Sequence, residues 1–181
     1  MIAEMRLQWW RDALSEIEAG GPVRSHEVTH PLAEVLDPDG ARLLDQAVEA
    51  RRWDIYREPF EDQAAFEAYL DATGAGPVWA AARALGAAPE SESVVRGYAR
   101  AAALAAWLRA IPDLEARGRM PLVDGRPGAV QEMAREGLRR IAAFQPFMGG
   151  HYRSRRNYDL GPDARDNVSL LSPWICHRLV T

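Results

Sequence analysis

The chain has 181 residues, 48% of them hydrophobic, and a formal net charge of −4 from 22 basic and 26 acidic side chains. That length supports one domain-sized core, and the acidic balance predicts no nucleic-acid partner, because phosphate contact needs a concentrated positive field. The single cysteine, Cys176, excludes an intrachain disulfide framework and a cysteine-based zinc cluster, and it fits a reducing cytoplasm.

All the basic residues are arginine and 31 residues are alanine. Spread along the chain, they indicate a GC-rich coding bias rather than a function. No apolar run approaches the roughly 20 residues of a membrane span, and the N-terminus lacks a basic-then-apolar secretion pattern. The expectation is a cytoplasmic protein, soluble or peripheral to a membrane.

The first predicted helix, "MIAEMRLQWWRDALSEIEAGG", places Ile2, Met5, Trp9, Ala13 and Ile17 on one face. Gly20, Gly21 and Pro22 stop it. No capping residue precedes Met1, as if the helix were cut from a longer element. Asp37 or Asp39 can cap a second helix carrying Leu44, Ala47, Val48, Arg51 and Ile55, ended by Pro59. Ala65, Phe66, Tyr69, Leu70 and Thr73 mark a third, which "GAGP" is expected to interrupt. Pro77 then opens a short helix that Gly86 terminates. The strongest helix carries Val94, Tyr98, Ala101, Ala105 and Leu108, widened by Leu104 and Ile111, and Pro112 is expected to close it. Val130, Ala134, Leu138 and Ile141 define a last helix running into Phe144. No strand alternation and no internal repeat appear, so the body is predicted to be all-α.

Among possible sites, His26 and His30 have metal-ligand spacing for a helix, but Pro31 disfavours helical geometry at His30; a loop leading into a helix is the better reading. Trp9 and Trp10, flanked by Arg6 and Arg11, could form a cation–π surface, or one ring could be core and the other an interface. Asp12 and Glu16 read as a solvated helix face. Arg51, Arg52 and Arg57 in "RRWDIYREP" are candidate diphosphate ligands, since guanidinium forks match phosphate oxygens; the alternative is pairing of Arg51 with Asp54. No catalytic triad, Walker loop or dinucleotide fingerprint is present, and neither catalytic nor metal-binding residues are assigned.

Three stretches, "EMRLQWWRDAL", "ARRWDIYREPFEDQAAFEAYLDATGAGPVWAAARALG" and "LAAWLRAIPDLEARGRMPLVDG", resemble the squalene/phytoene synthase family in order and spacing. The resemblance implies an isoprenoid-synthase-like helical bundle over residues 1–145, N-terminally truncated. It implies prenyl diphosphate and Mg2+ as ligands, held between two aspartate-rich segments on facing helices. The first segment would precede Met1. The second would fall between Tyr98 and Glu115, where only Asp113 and Glu115 are acidic and Pro112 is expected to put them at or beyond the helix end. The wording "LRAIP…GR.PL" is similar to a non-canonical branch that includes complex I assembly factors.

The end of the chain is different. "YRSRRNYDLGPDARDNVSLLSPWICHR" resembles the segment opening the FAD-binding domain of cryptochrome/photolyase-related proteins. That resemblance implies an irregular or helical tail over 146–181, with FAD as ligand and Tyr152, Arg155, Arg156, Ser169 and Ser172 at the flavin diphosphate. Hydroxyl and guanidinium donors suit that group.

The resulting expectation is a catalytically incomplete synthase-like protein that binds a prenyl diphosphate or lipid, or serves as an assembly module. A flavin-associated protein, or a fusion or truncation fragment, is the alternative. Apolar surface around Trp9 and Trp10 is expected to meet a second copy or a protein partner.

Overall fold

A computed structural model describes residues 2–56 and 58–144. Contacts divide the chain into two units, Met1–Ile141 and Ala142–Thr181; the fold below is that of the first. Among the described residues every regular element is helical, so the body is all-α, as its periodicity predicts.

Helix α1 spans Ile2–Glu18, α2 Thr29–Val35 and α3 Pro38–Ala50. Helix α1 packs on α3, burying Ala13, Leu14 and Ile17. The expected stripe is therefore rotated and shortened: Ile2 and Met5 are 77% and 65% exposed, while Leu14 joins Ile17 and Ala41 in a core cluster. Thr29 is fully buried. It satisfies its hydroxyl by donating to the Arg24 carbonyl at 2.6 Å, as a buried polar group must. Asp37 caps α3, accepting from the Gly40 amide at 2.7 Å with Pro38 in the first turn.

The second predicted helix is two helices. Helix α3 ends at Ala50, and α4, Trp53–Tyr56, follows a tight turn in which Arg52 N–H bonds the Glu49 carbonyl at 3.0 Å. The break is held from outside. Arg119 donates to the carbonyls of Trp53, at 2.8 Å, and of Asp54, and its guanidinium lies 4.6 Å from the Trp53 ring centroid. Long-range hydrogen bonds of this kind are invisible to a periodicity argument.

Helix α5, Gln63–Leu70, is capped by Asp62, which accepts from the Ala65 amide at 2.7 Å. "GAGP" does not interrupt the helix that follows. A π-helical segment, Asp71–Ala75, carries the chain directly into α6, Gly76–Ala84. The Gly76 amide reaches back five residues to the Asp71 carbonyl, and such a widened turn absorbs an irregular sequence without ending the helix. The segment packs on helix α7, Glu92–Ala116. A Cβ placed on Gly74 would lie 2.5 Å from the Ala103 Cβ, so the two backbones meet at a position only glycine fits.

Helix α7 also runs further than expected. Pro112 stands inside it, exposed to solvent, and the stop comes at Gly118, whose φ of 74° is left-handed. The Arg119 and Gly118 amides bond back to the Leu114 and Glu115 carbonyls at 3.0 and 2.8 Å, which is the Schellman closure. Asp113 and Glu115 therefore lie in the last turn of the helix, at its end and not beyond it, both exposed.

Helix α8 spans Pro127–Phe144. Its expected stripe is shifted too: Leu138 is 66% exposed, and the buried position is Gly137, whose Cβ would approach Leu104 Cδ2 at 3.3 Å. Beside it, Met133 packs on the main core cluster of Phe60, Phe66, Tyr69, Leu70 and Leu104.

Candidate functional site

Helix α8 approaches α7 where Gly137 faces Leu104, and a cavity of about 670 Å3 lies between α5, α7 and α8. That is within the roughly 300–1,000 Å3 of small-molecule sites. Phe66, Leu70, Ala101, Leu104 and Met133 supply its apolar lining. Phe66 is 1% exposed and Ala101 and Leu104 are buried, so the floor is continuous with the core.

Charged groups ring this floor. Asp71, at the start of the π segment, takes both Arg96 and Arg100 from consecutive turns of α7. Across the cavity Arg139 bonds Glu132 and Glu136 at 2.9 and 2.8 Å, and Arg140 bonds Glu136 at 2.9 Å. Arg126 grips Asp124 with a 2.6 Å contact and holds its carboxyl down to about 2. Glu67 has no cation partner among the described residues; its carboxylate accepts from Gln63 at 3.2 Å.

A second, shallower cavity of about 460 Å3 opens between α1, α3 and α5. Its rim is an ion-pair set in which Arg11 donates to Asp45 at 2.8 Å and to Glu49. Trp53, Phe60 and Tyr69 form its wall, with Trp53 stacked on Phe60 at a 4.7 Å centroid distance. Burial pushes the Tyr69 phenol up to about 12, although Arg51 nearby acts in the other direction.

The residues singled out from sequence are dispersed. Arg51 donates to Asp54 at 3.3 Å and to the Tyr69 hydroxyl at 3.2 Å, the intramolecular pairing that "RRWD" allows. Arg52 donates to Glu49 at 3.0 Å and lies 3.6 Å from Glu4. In this corner Glu4 Oε1, Arg52 Nε and Trp53 Nε1 are buried without a hydrogen-bond partner among the described residues. Arg57, Tyr152, Arg155, Arg156, Ser169 and Ser172 lie outside the described residues.

Trp9 and Trp10 pack edge-on at 5.0 Å, and His26 lies against both rings at 5.0 and 5.6 Å. The cation over Trp9 is Arg24, 5.3 Å from the ring centroid, and not the adjacent Arg6 or Arg11. Arg24 also forks onto Glu16 at 2.7 Å, so Glu16 is half-buried in an ion pair and not simply part of a solvated face. His26 accepts from the Val28 amide at 3.1 Å, and His30 sits exposed in the first turn of α2. His30 is thus helical although Pro31 follows it, and no group of three metal-ligating side chains forms among the described residues.

Sequence reasoning missed Asp71 with Arg96 and Arg100, as well as Arg119. The arginine pair carried a usable signal, since two guanidiniums four residues apart share a helix face. Arg119 lay in the quoted "GRMPL", but its target, the carbonyls at the α3–α4 break, depends on a contact 65 residues distant.

The carboxylates around the larger cavity set a pH response. Arg139, with Arg135, holds Glu132 below its ordinary range, and Arg140, with Arg139, does the same for Glu136. A folded-state value depressed below the unfolded one contributes stability above the unfolded value and loses it as pH falls through the folded one. The thermal midpoint is therefore expected to be level above about pH 5 and to fall progressively toward pH 2. These side chains are exposed, so 0.5 M salt is expected to flatten the profile. A midpoint that rises on acidification would contradict this assignment. At the other extreme, the raised Tyr69 value predicts stability lost between about pH 10 and about 12.

A family model described as squalene/phytoene synthase matches residues 1–124. No curated protein and no solved structure matches the chain.

Proposed function

The chain belongs to the squalene/phytoene synthase family, and from that premise we propose that it holds a prenyl-like or other lipid chain without condensing it. The observation that carries this is the face α7 turns to the bundle. Ala99, Ala101 and Leu104 are buried there, with Ala103, Trp107 and Leu108 packed beside them. Catalysis in the family calls for magnesium-holding carboxylates on this helix, and alkyl and indole groups cannot coordinate a hard cation. Asp113 and Glu115 are carried on the exposed side. The apolar cavity between α5, α7 and α8 is the binding site in this reading.

Arg51 and Arg52 are the alternative diphosphate contacts. To serve so they must exchange their bonds to Asp54, Tyr69 and Glu49 for phosphate oxygens, which makes them secondary here. The proposed division is a synthase-like body over 1–145 and a separate segment over 146–181.

The test is a condensation assay joined to thermal unfolding. With farnesyl diphosphate and magnesium, purified protein is expected to form no head-to-head product. Farnesol is expected to raise the melting midpoint, because a ligand at a hundred times its Kd adds about 2.7 kcal/mol to the native state. A condensation product would overturn the non-catalytic reading, and an unmoved midpoint would overturn the binding reading.

A scaffold or assembly role is the second reading, supported by the outward apolar side chains of Ile2 and Met5 near Trp9 and Trp10. Replacing Trp10 with Glu is expected to reduce self-association or partner capture, measured by light scattering and by cross-linking with mass spectrometry. A flavin-associated role rests on the sequence from Tyr152 to Arg178 alone. It predicts a yellow protein, and a preparation that takes up no FAD would end it.

A further inference from the structure

We propose that the cavity between α5, α7 and α8 takes an apolar chain ending in a single oxyanion group, a carboxylate or a phosphate monoester. Arg100 and Arg140 hold that group directly, with no metal ion between. This deepens the binding role proposed above and rests on it. Behind it is an imbalance between hydrogen-bond donors and acceptors in the cavity wall.

Arg100 of α7 and Arg140 of α8 both line the cavity, and both are half-buried. Each is engaged through Nε alone, Arg100 by Asp71 and Arg140 by Glu136. Their Nη1 and Nη2 donors have no partner among the described residues. Each guanidinium is thus anchored along one edge and keeps its terminal fork open. Two parallel N–H donors of this kind match the oxygens of a carboxylate or a phosphate. Because the anchoring carboxylate already orients the side chain, less conformational freedom is lost when an anion is captured.

The acceptors on the same wall are already engaged. Asp71 gives one oxygen to Arg96 and the other to Arg100. Glu136 is divided in the same way between Arg139 and Arg140, and Glu132 between Arg139 and Arg135. Arg126 takes both oxygens of Asp124. Glu67 is the exception among the acidic lining residues, and it stands exposed on α5. A donor group entering the cavity must compete with a guanidinium for these paired oxygens, whereas an oxyanion finds two forks unclaimed. The charge it needs is supplied by arginine, so no cation has to bridge it to the wall. Phe66, Leu104 and Met133 offer the apolar surface for the chain.

Calorimetry on the full chain at neutral pH compares farnesol, farnesoic acid and farnesyl monophosphate, which share one chain, with inorganic phosphate. Each is titrated with and without magnesium. The acid and the monophosphate are expected to bind about tenfold tighter than the alcohol or more, as one hydrogen bond to a charged group supplies. The tighter of the two identifies the head group, and magnesium is expected to change neither. Inorganic phosphate is expected to bind more weakly than both. Arg100→Gln and Arg140→Gln are each expected to weaken the two anionic ligands by about fivefold or more while leaving the alcohol unchanged. Arg109→Gln removes the same charge from an exposed position of α7 outside the lining and is expected to alter nothing. Ala129→Trp, which fills the cavity from α8, is expected to weaken all three farnesyl ligands together.

Anionic ligands no tighter than the alcohol overturn the recognition of an oxyanion and leave lipid binding intact, a comparison that needs only the parent chain. A requirement for magnesium overturns the direct contact. Inorganic phosphate as tight as the monophosphate overturns the role of the apolar chain. Equal losses in Arg109→Gln and in the two lining variants overturn the assignment to Arg100 and Arg140. Failure of all three farnesyl ligands to bind overturns the lipid-binding role itself, and unchanged affinities in Ala129→Trp overturn the assignment to this cavity.

Discussion

Phe66→Ala is expected to destabilise the protein by about 3–5 kcal/mol, the largest effect of any single truncation considered. The ring is 1% exposed and stands where two features meet. On one side it packs against Phe60 and Trp107, at centroid distances of 5.2 and 5.7 Å. On the other it forms part of the cavity floor. Removing it costs the transfer of the ring and leaves a void that neighbouring aromatic rings cannot collapse into without losing their own contacts. Since a whole domain is stable by only about 5–15 kcal/mol, the variant should sit near the edge of unfolding at 37 °C. Urea denaturation measures it, as a lower midpoint at unchanged slope. Leu138→Ala, on the exposed side of α8, is the control and is expected to stay within about 0.5 kcal/mol of the parent. A loss under about 1 kcal/mol for Phe66→Ala would mean that this cluster is not the core.

Gly74→Ala is expected to cost about 1–3 kcal/mol through overpacking, although Ala for Gly inside a helix ordinarily stabilises. The sign reverses because the new methyl would sit 2.5 Å from the Ala103 Cβ. Neither group has a torsion that can move it aside, so the π segment must separate from α7. The same contact predicts a rescue. Once Ala103→Gly removes the opposing methyl, the next atoms around the new Cβ are the Ala99 carbonyl oxygen at 3.7 Å and the Ala103 Cα at 3.8 Å, both ordinary contacts. The double variant should therefore be more stable than Gly74→Ala alone, despite the roughly 0.5–1 kcal/mol that glycine costs inside a helix. A double-mutant cycle on denaturation midpoints reads the coupling directly. Purely additive costs would show that the two backbones do not meet here.

Both positions mark where sequence reasoning carries and where it stops. The "GAGP" stretch looks like a break because glycine and proline lower intrinsic helix propensity. Propensity is a local quantity, and it was overridden by close packing of a π turn on the alanines of α7. Pro112 misleads in the same way. It weakens a helix locally, yet α7 continues to the left-handed Gly118, where the terminal carbonyls find donors. In the other direction, one predicted helix became α3 and α4, because Arg119 arrives from far along the chain to take the Trp53 and Asp54 carbonyls.

By itself the sequence determined the helical class, the order of the main helices, the stop at the left-handed Gly86, a cap at one of Asp37 and Asp39, and, through its three motif stretches, the family. These depend on spacing along one chain, where a 3.6-residue period or a capping side chain acts over a few residues. Only the tertiary structure decided which faces are buried and which arginines are free. Ile2, Met5 and Leu138 stand on the expected stripes and are exposed, whereas Leu14 and Met133, which those stripes left out, pack in the core, because burial depends on what another helix brings opposite. The cavity is likewise a property of three helices, lined by residues that run from Gln63 to Arg140. Its charge is a sum over side chains from Glu67 to Arg140; the Arg140–Glu136 pair is local to one helix, but the pairing of Asp71 with Arg96 and Arg100 joins separate segments and is encoded by no local pattern.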